Sequence, residues 1–223
     1  MKAQEYTIKL LKIEHLDKEY YSFDFSKPEG FEFVEGQFGV FTHVNKVMEG
    51  KPFRAFSIAS TNEEPFLKIA TKITSSPSEF KQRLLNLALG EEVILRAPMG
   101  DFKYDETQKA VFIAGGIGIT PIRSIILSMK RLNENRLDTL IYSELESTYP
   151  FSSELESTKK LEVFYSADIE PTQKLITDTI NIYQNKALYY LSGSPGFVKG
   201  ITELLKVHGI LETKIIYDVF VGY

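Results

Sequence analysis

The chain has 223 residues, enough for two small domains with real cores, and its 30 acidic against 26 basic side chains leave a net charge of −4. That balance provides no basic footprint for nucleic acid or for an anionic membrane. Cysteine is absent, and His15, His43 and His208 stand far apart in sequence; this excludes disulfides and cysteine-held iron–sulfur clusters, and it argues against a metal site or a histidine-dependent triad.

The first ten residues, MKAQEYTIKL, alternate polar and apolar as a strand does and lack the apolar core of a signal peptide. No apolar run elsewhere is long enough to span a bilayer. A cytoplasmic chain without membrane insertion is therefore expected.

Alternation recurs at Tyr6 to Leu10, Tyr21 to Phe25 and Gln37 to Phe41, separated by turn signals such as Pro28-Glu29-Gly30 and Glu35-Gly36. Further strands are predicted at Phe53 to Ala59, Phe66 to Thr74 and Glu92 to Ala97. Short strands at such intervals predict a small antiparallel barrel. Between the last two, Ser76-Pro77-Ser78-Glu79 has the form of a capping box with proline at the first helical position, and Phe80, Leu84, Leu85 and Leu87 supply an apolar face.

After Pro98-Met99-Gly100-Asp101-Phe102 the rhythm changes. Apolar runs at Ala110 to Ala114, Thr139 to Tyr142, Leu161 to Tyr165, Ala187 to Leu191 and Lys214 to Phe220 are separated by helical patterns. Alternating β and α predicts a five-stranded parallel sheet covered on both faces. The polar stretch Lys103 to Gln108 marks the boundary, giving domains 1–104 and 105–223.

The stretch VFIAGGIGITP, Val111 to Pro121, reads as a buried strand, a glycine turn and a helix, with Thr120 as the cap and Pro121 at the first helical position. Exposed N–H groups at such a start attract phosphate, and the bare glycines Gly115, Gly116 and Gly118 let a dinucleotide approach. The same turn would also serve as a tight βα connection with no ligand. Four strands of this half end in a small residue, Gly115, Ser143, Ser166 and Ser192, at the sheet edge where ligands sit. In the first half, Arg54-Ala55-Phe56-Ser57 presents a planar fork for phosphate, an aromatic platform and a hydroxyl. Alternation places Arg54 and Phe56 on one strand face and Ser57 on the other. A surface salt bridge beside a core phenylalanine is the competing reading.

Taken in order, RAFSIAS, PMGDF, VFIAGGIGITPIRS, YLSGSPGFVKG and YDVF resemble the ferredoxin–NADP reductase superfamily of flavin-dependent reductases over essentially the whole chain. The resemblance implies an N-terminal Greek-key β-barrel that binds flavin and a C-terminal α/β domain that binds the nicotinamide nucleotide. It implies that Arg54 binds a flavin phosphate, that Phe56, in place of the commoner tyrosine, stacks on the isoalloxazine ring, and that Ser57 hydrogen-bonds near N5. The strand Leu67 to Lys72 is similar to the segment lining the ribityl and phosphate groups. The glycine turn that usually cradles the pyrophosphate is missing: Ser75, Ser76, Pro77 and Ser78 stand there, followed by the anion Glu79. FAD is favoured over FMN because most of the family uses it.

The resemblance further assigns Gly115, Gly116, Gly118, Thr120 and Pro121 to the nicotinamide-nucleotide loop. Ser192 and Gly193 match the family's Cys-Gly-Pro segment, with serine for the cysteine beside the nicotinamide. Asp218 and Phe220 match its acid-x-aromatic ending, where the aromatic covers the flavin, and Tyr223 is a rival for that role. After the second parallel strand stand Ser143-Glu144-Leu145-Glu146, two carboxylates without a neighbouring arginine, which favours NADH over NADPH. The implied activity is hydride transfer from NADH to flavin and electron delivery to a separate acceptor such as an iron–sulfur protein. A non-catalytic electron-transfer component of a larger complex and a free-flavin reductase are the alternatives.

Overall fold

The alternating segments of the N-terminal half pair into one antiparallel sheet. In a computed structural model, which describes residues 2–44, 47–48, 50–129 and 137–220, the chain divides into two units, Met1–Lys103 and Tyr104–Tyr223. The first contains β1 (Gln4–Asp17), β2 (Tyr20–Ser26), β3 (Phe38–His43), β4 (Phe53–Ser57), β5 (Phe66–Lys72) and β6 (Glu92–Met99), in the order β4-β3-β6-β1-β2-β5. Among the described residues no ladder joins the edge strands β4 and β5, so the expected Greek-key barrel is a barrel-like sheet that does not close. Its core is made by the inward-facing residues of each strand: Ile8 and Leu10, Phe23 and Phe25, Phe41, Leu67 and Ile69, and Leu95. Each such side chain contributes about 1.5–3 kcal/mol on burial.

Helix α1 (Glu79–Leu85) lies between β5 and β6. It is shorter than the capping-box reading predicted. Ser78, not Ser76, is the N-cap, its Oγ accepting the Lys81 N–H at 3.5 Å, and Pro77 precedes the cap. The apolar pair that sinks into the core, Phe80 and Leu84, fixes the helix start by its own spacing.

The second unit alternates β7 (Lys109–Gly115), α2 (Ile119–Ser128), β8 (Asp138–Ser143), α3 (Ser152–Glu156), β9 (Leu161–Ser166), α4 (Ile169–Tyr183), β10 (Ala187–Gly193), α5 (Pro195–Val207) and β11 (Ile215–Val219). All four ladders are parallel, in the order β11-β10-β7-β8-β9. Residues Ala110 to Ala114 are fully buried, as a central strand covered on both faces requires. Buried Asp138 is satisfied by the Tyr104 hydroxyl at 2.6 Å and the Ala110 N–H at 2.9 Å, which ties the entry segment to β8 and β7. Among the described residues, no helix is long and apolar enough to cross a membrane.

The glycine turn differs from its expected form. Gly116–Gly118 makes a single 3₁₀ turn, with Gly116 at φ +54°, and α2 begins at Ile119. Thr120 is therefore inside the helix, and its hydroxyl donates to the Ile117 carbonyl at 3.0 Å instead of capping. Pro121 sits third in the helix, still within the turn whose N–H groups have no helical acceptor.

Candidate functional site

Strand β7 lies centrally, with β8 on one side and β10 on the other, so the sheet order reverses between β7 and β10. Open parallel sheets bind ligands at the carboxyl edge of such a switch point. Register aligns Ser166, Ser143 and Gly115 across that edge; Ser192 is opposite Ala114, so it is Gly193 that stands beside Gly115. A Cβ at Gly118 would meet the Ser192 carbonyl oxygen at 2.2 Å and Gly193 Cα at 2.8 Å. One at Gly115 would meet the Phe197 ring at 2.7 Å. Only glycine fits these positions, because the Ser192 backbone and the Phe197 ring occupy the space a side chain would need.

The other sequence-predicted residues of this unit fall around that edge in different ways. Ser192 is fully buried and its Oγ has no hydrogen-bond partner, an orphaned polar atom next to Gly193 on β10. Ser143 Oγ is 3.0 Å from Thr172 Oγ1 and is turned to α4. Thr120 and Pro121 are buried within α2. Asp218 pairs in register with Ser192, and the Phe220 N–H donates to the Gly193 carbonyl at 2.9 Å, so the end of β11 is fastened to the switch-point strand. Tyr223 lies outside the described residues. Phe197, whose ring covers Gly115 and Gly193, escaped the sequence reading; the aromatic after Ser194-Pro195-Gly196 was its signal.

The end of β8 is electronegative. Glu144 is only 8% exposed, and its N–H donates to the Ser166 carbonyl at 2.9 Å. Burial, then the charges of Glu144 and Asp168, push the Tyr149 hydroxyl above the usual tyrosine range. Arg123 is committed elsewhere: it is buried, ion-paired with Glu154 at 2.6 Å and set over the Phe151 ring. Lys199 is exposed and lies 3.9 Å from Glu203.

In the antiparallel unit, Arg54 and Phe56 do share a strand face. Both meet Phe80, the guanidinium 5.6 Å from its ring and the Phe56 ring at 6.0 Å. Arg54 donates to the carbonyls of Lys51 and Phe53 at 3.0 and 2.9 Å, while its buried Nε has no partner. Phe56 also packs on Phe41 and belongs largely to the core, with 9% of its surface exposed; Ser57 is 6% exposed. Lys72 faces Glu19 at 3.5 Å. Ser76 and Ser78 are exposed. Glu79, the anion expected to disfavour a phosphate, is drawn off by an ion pair with Arg83. Lys81, which sequence reasoning missed because a helical lysine looks like ordinary surface, is half-buried, and its Nζ donates to the Lys72 carbonyl at 2.8 Å. The unpartnered Arg54 Nε in the antiparallel unit fits a flavin phosphate, and the unpartnered Ser192 Oγ at the switch point of the parallel unit fits a nicotinamide nucleotide.

No family model matches the chain. A component of the Na(+)-translocating NADH-quinone reductase of Haemophilus influenzae (strain PittEE) is 26% identical over 242 residues, covering 89% of this chain and 56% of that protein. The reductase component of propane 2-monooxygenase of Rhodococcus jostii (strain RHA1) is 27% identical over 241 residues, covering 97% of this chain and 64% of that protein. The chain thus spans between 56% and 64% of the length of these curated relatives. Among solved structures, ferredoxin-NADP+ reductase from Plasmodium falciparum superposes with a TM-score of 0.84 at 21% identity, over 96% of this chain and 95% of that one. With a barrel-like antiparallel unit and a five-stranded parallel unit, the chain has the two-unit fold of that reductase, and in sequence it is similar to these two reductase components.

Proposed function

We propose that this chain binds FAD on its antiparallel unit and NADH on its parallel unit, transfers hydride from the nicotinamide to the flavin and passes electrons to a separate protein. The observation that carries the reading is the Ser192 hydroxyl, fully buried and without a partner at the carboxyl edge of the switch point. The relative that is the reductase component of a monooxygenase supports delivery to a separate acceptor.

Arg54 offers a guanidinium whose Nε is unsatisfied to a flavin phosphate. Ser57, three residues along β4, would orient the isoalloxazine by a hydrogen bond near N5, and Phe56 would supply an aromatic face. The nucleotide would lie at the carboxyl edge of the parallel sheet, where the Ser192 hydroxyl would gain its missing partner. Bound flavin supplies the conversion of a two-electron donor into one-electron steps. NADH is preferred because Glu144 places a carboxylate at the end of β8 while Arg123 is held by Glu154.

Anaerobic titration of the flavin-loaded protein with NADH, followed by absorbance, tests the proposal. Bleaching of the flavin bands is expected. A protein that neither retains added flavin nor oxidises NADH refutes it.

A further inference from the structure

Phe197 stands in the first turn of α5, where its place is fixed from several sides. Its N–H donates to the Oγ of the N-cap Ser194 at 3.3 Å, Pro195 opens the helix, and the neighbouring Val198 and Ile201 sink into the core of the parallel unit. Alternation along β10 turns Leu191 and Gly193 toward α5 and Ser192 to the opposite face. A Cβ at Gly115 would lie 2.7, 2.8 and 2.9 Å from Cδ1, Cγ and Cε1 of Phe197, and one at Gly193 would lie 3.0 Å from the same Cδ1. One edge of a single ring therefore fills the space of two missing side chains, on two strands. The β7–β10 ladder ends with Ser192 opposite Ala114, whereas β10 continues beside β11 with Gly193 opposite Val219. Gly193 thus lies one residue beyond the last register pair that β10 makes with β7, and the ring packs on both strand ends at that point. The Gly193 carbonyl in turn accepts the Phe220 N–H at 2.9 Å.

We infer that Phe197 is a positioning residue for the nucleotide: its ring clamps the ends of β7 and β10 together and so fixes Gly193, the residue beside the Ser192 hydroxyl. The inference rests on the NADH reading above. Phe197 acts through backbone and need not touch the nucleotide. Close-packed groups do not deform smoothly, so loss of the ring frees the two strand ends to move apart, and a misplacement of about 1 Å near reacting groups costs up to roughly a hundredfold in rate. The clamp lies at the end of β10, not at the end of β8 where Glu144 stands, so the loss falls on the nicotinamide half of the nucleotide and spares the adenosine half.

Stopped-flow reduction of the flavin-loaded chain by NADH, competition by ADP-ribose, which has no nicotinamide, and hydrogen exchange of the Phe220 amide in the flavin-free chain test this. F197A should lower the limiting rate of flavin reduction roughly ten- to a hundredfold and leave the inhibition constant of ADP-ribose unchanged. F197L keeps an apolar side chain on α5 and so guards against a folding failure in F197A; it should show the same split with a smaller loss. F197Y should retain the native rate, because Cζ, which would bear the hydroxyl, is not among the ring atoms nearest the glycines. The Phe220 amide should lose protection in F197A and F197L and keep it in F197Y. An unchanged rate of reduction in F197A and F197L overturns the inference. So does an equal loss in rate and in ADP-ribose binding, which would mark Phe197 as ordinary core packing. If NADH does not reduce the native chain, the NADH reading itself fails, and the exchange measurement alone still decides whether the ring clamps the strand ends.

Discussion

Gly118 rests directly on the backbone of Ser192: a Cβ there would stand 2.2 Å from the Ser192 carbonyl oxygen. The obstacle is backbone, which cannot swing aside as a flexible side chain does. Gly118→Ala should therefore separate β10 from the turn after β7 and cost about 1–3 kcal/mol, roughly 2–10 °C in the melting of the parallel unit. Gly200→Ala is the control, because nothing lies within 4 Å of a Cβ added in the middle of α5. It should be neutral or stabilise by about 0.4–1 kcal/mol. Calorimetry of both variants checks the contrast, and equal melting temperatures would contradict it.

Asp24 and Lys68 face each other across β2 and β5 with an N–O distance of 2.6 Å, both less than a tenth exposed. Lys68→Met leaves a buried carboxylate without its counter-charge and should cost about 3–5 kcal/mol. Adding Asp24→Leu should restore most of that loss, since an apolar pair of similar volume removes the desolvation cost. Urea denaturation of the single and double variants measures the coupling; additive losses would show that the two side chains act independently.

Arg54→Ala should weaken flavin retention by roughly tenfold or more, the worth of one hydrogen bond to a charged group. Ser57→Ala should act differently, slowing flavin reduction by NADH more than it weakens flavin binding. Equilibrium titration and stopped-flow absorbance separate the two. Equal losses in rate and affinity for Ser57→Ala would argue against a role near N5.

Glu144→Gln removes a largely buried carboxylate at the end of β8. The ratio of kcat/KM for NADPH over NADH should rise by about five- to thirtyfold, equivalent to roughly 1–2 kcal/mol of lost repulsion. Steady-state rates with both nucleotides decide it, and an unchanged ratio would place the 2′ position elsewhere.

The six antiparallel strands were legible because side-chain alternation maps onto one buried face, and the five parallel ones because a strand covered on both faces reads as a continuous apolar run. The carboxyl edge of the parallel sheet was legible from the glycine turn and the small strand ends, whereas the reversal of strand order between β7 and β10 is seen only in the ladder. Helix starts were harder. Ser76-Pro77 and Thr120-Pro121 both carry strong local signals, yet in each case packing chose another start: Phe80 and Leu84 set α1 by sinking into the core, and a 3₁₀ turn at Gly116–Gly118 brought α2 forward. One-residue register, which put Gly193 and not Ser192 beside Gly115, is a property of the ladder and has no local sequence signature. Lys81 and Phe197 were missed for a related reason. Whether a lysine is buried beside an arginine, or a phenylalanine covers a glycine, depends on chain segments far apart in sequence.

Because β7 leads through α2 to β8 on one side and β10 leads through α5 to β11 on the other, right-handed crossovers put the two helices on opposite faces of the sheet while both start at the same gap. Each start contributes roughly half an elementary positive charge. On a chain of net charge −4, these two dipoles make that gap a local attractor for anions, and the attraction should fade as added salt shortens the Debye length.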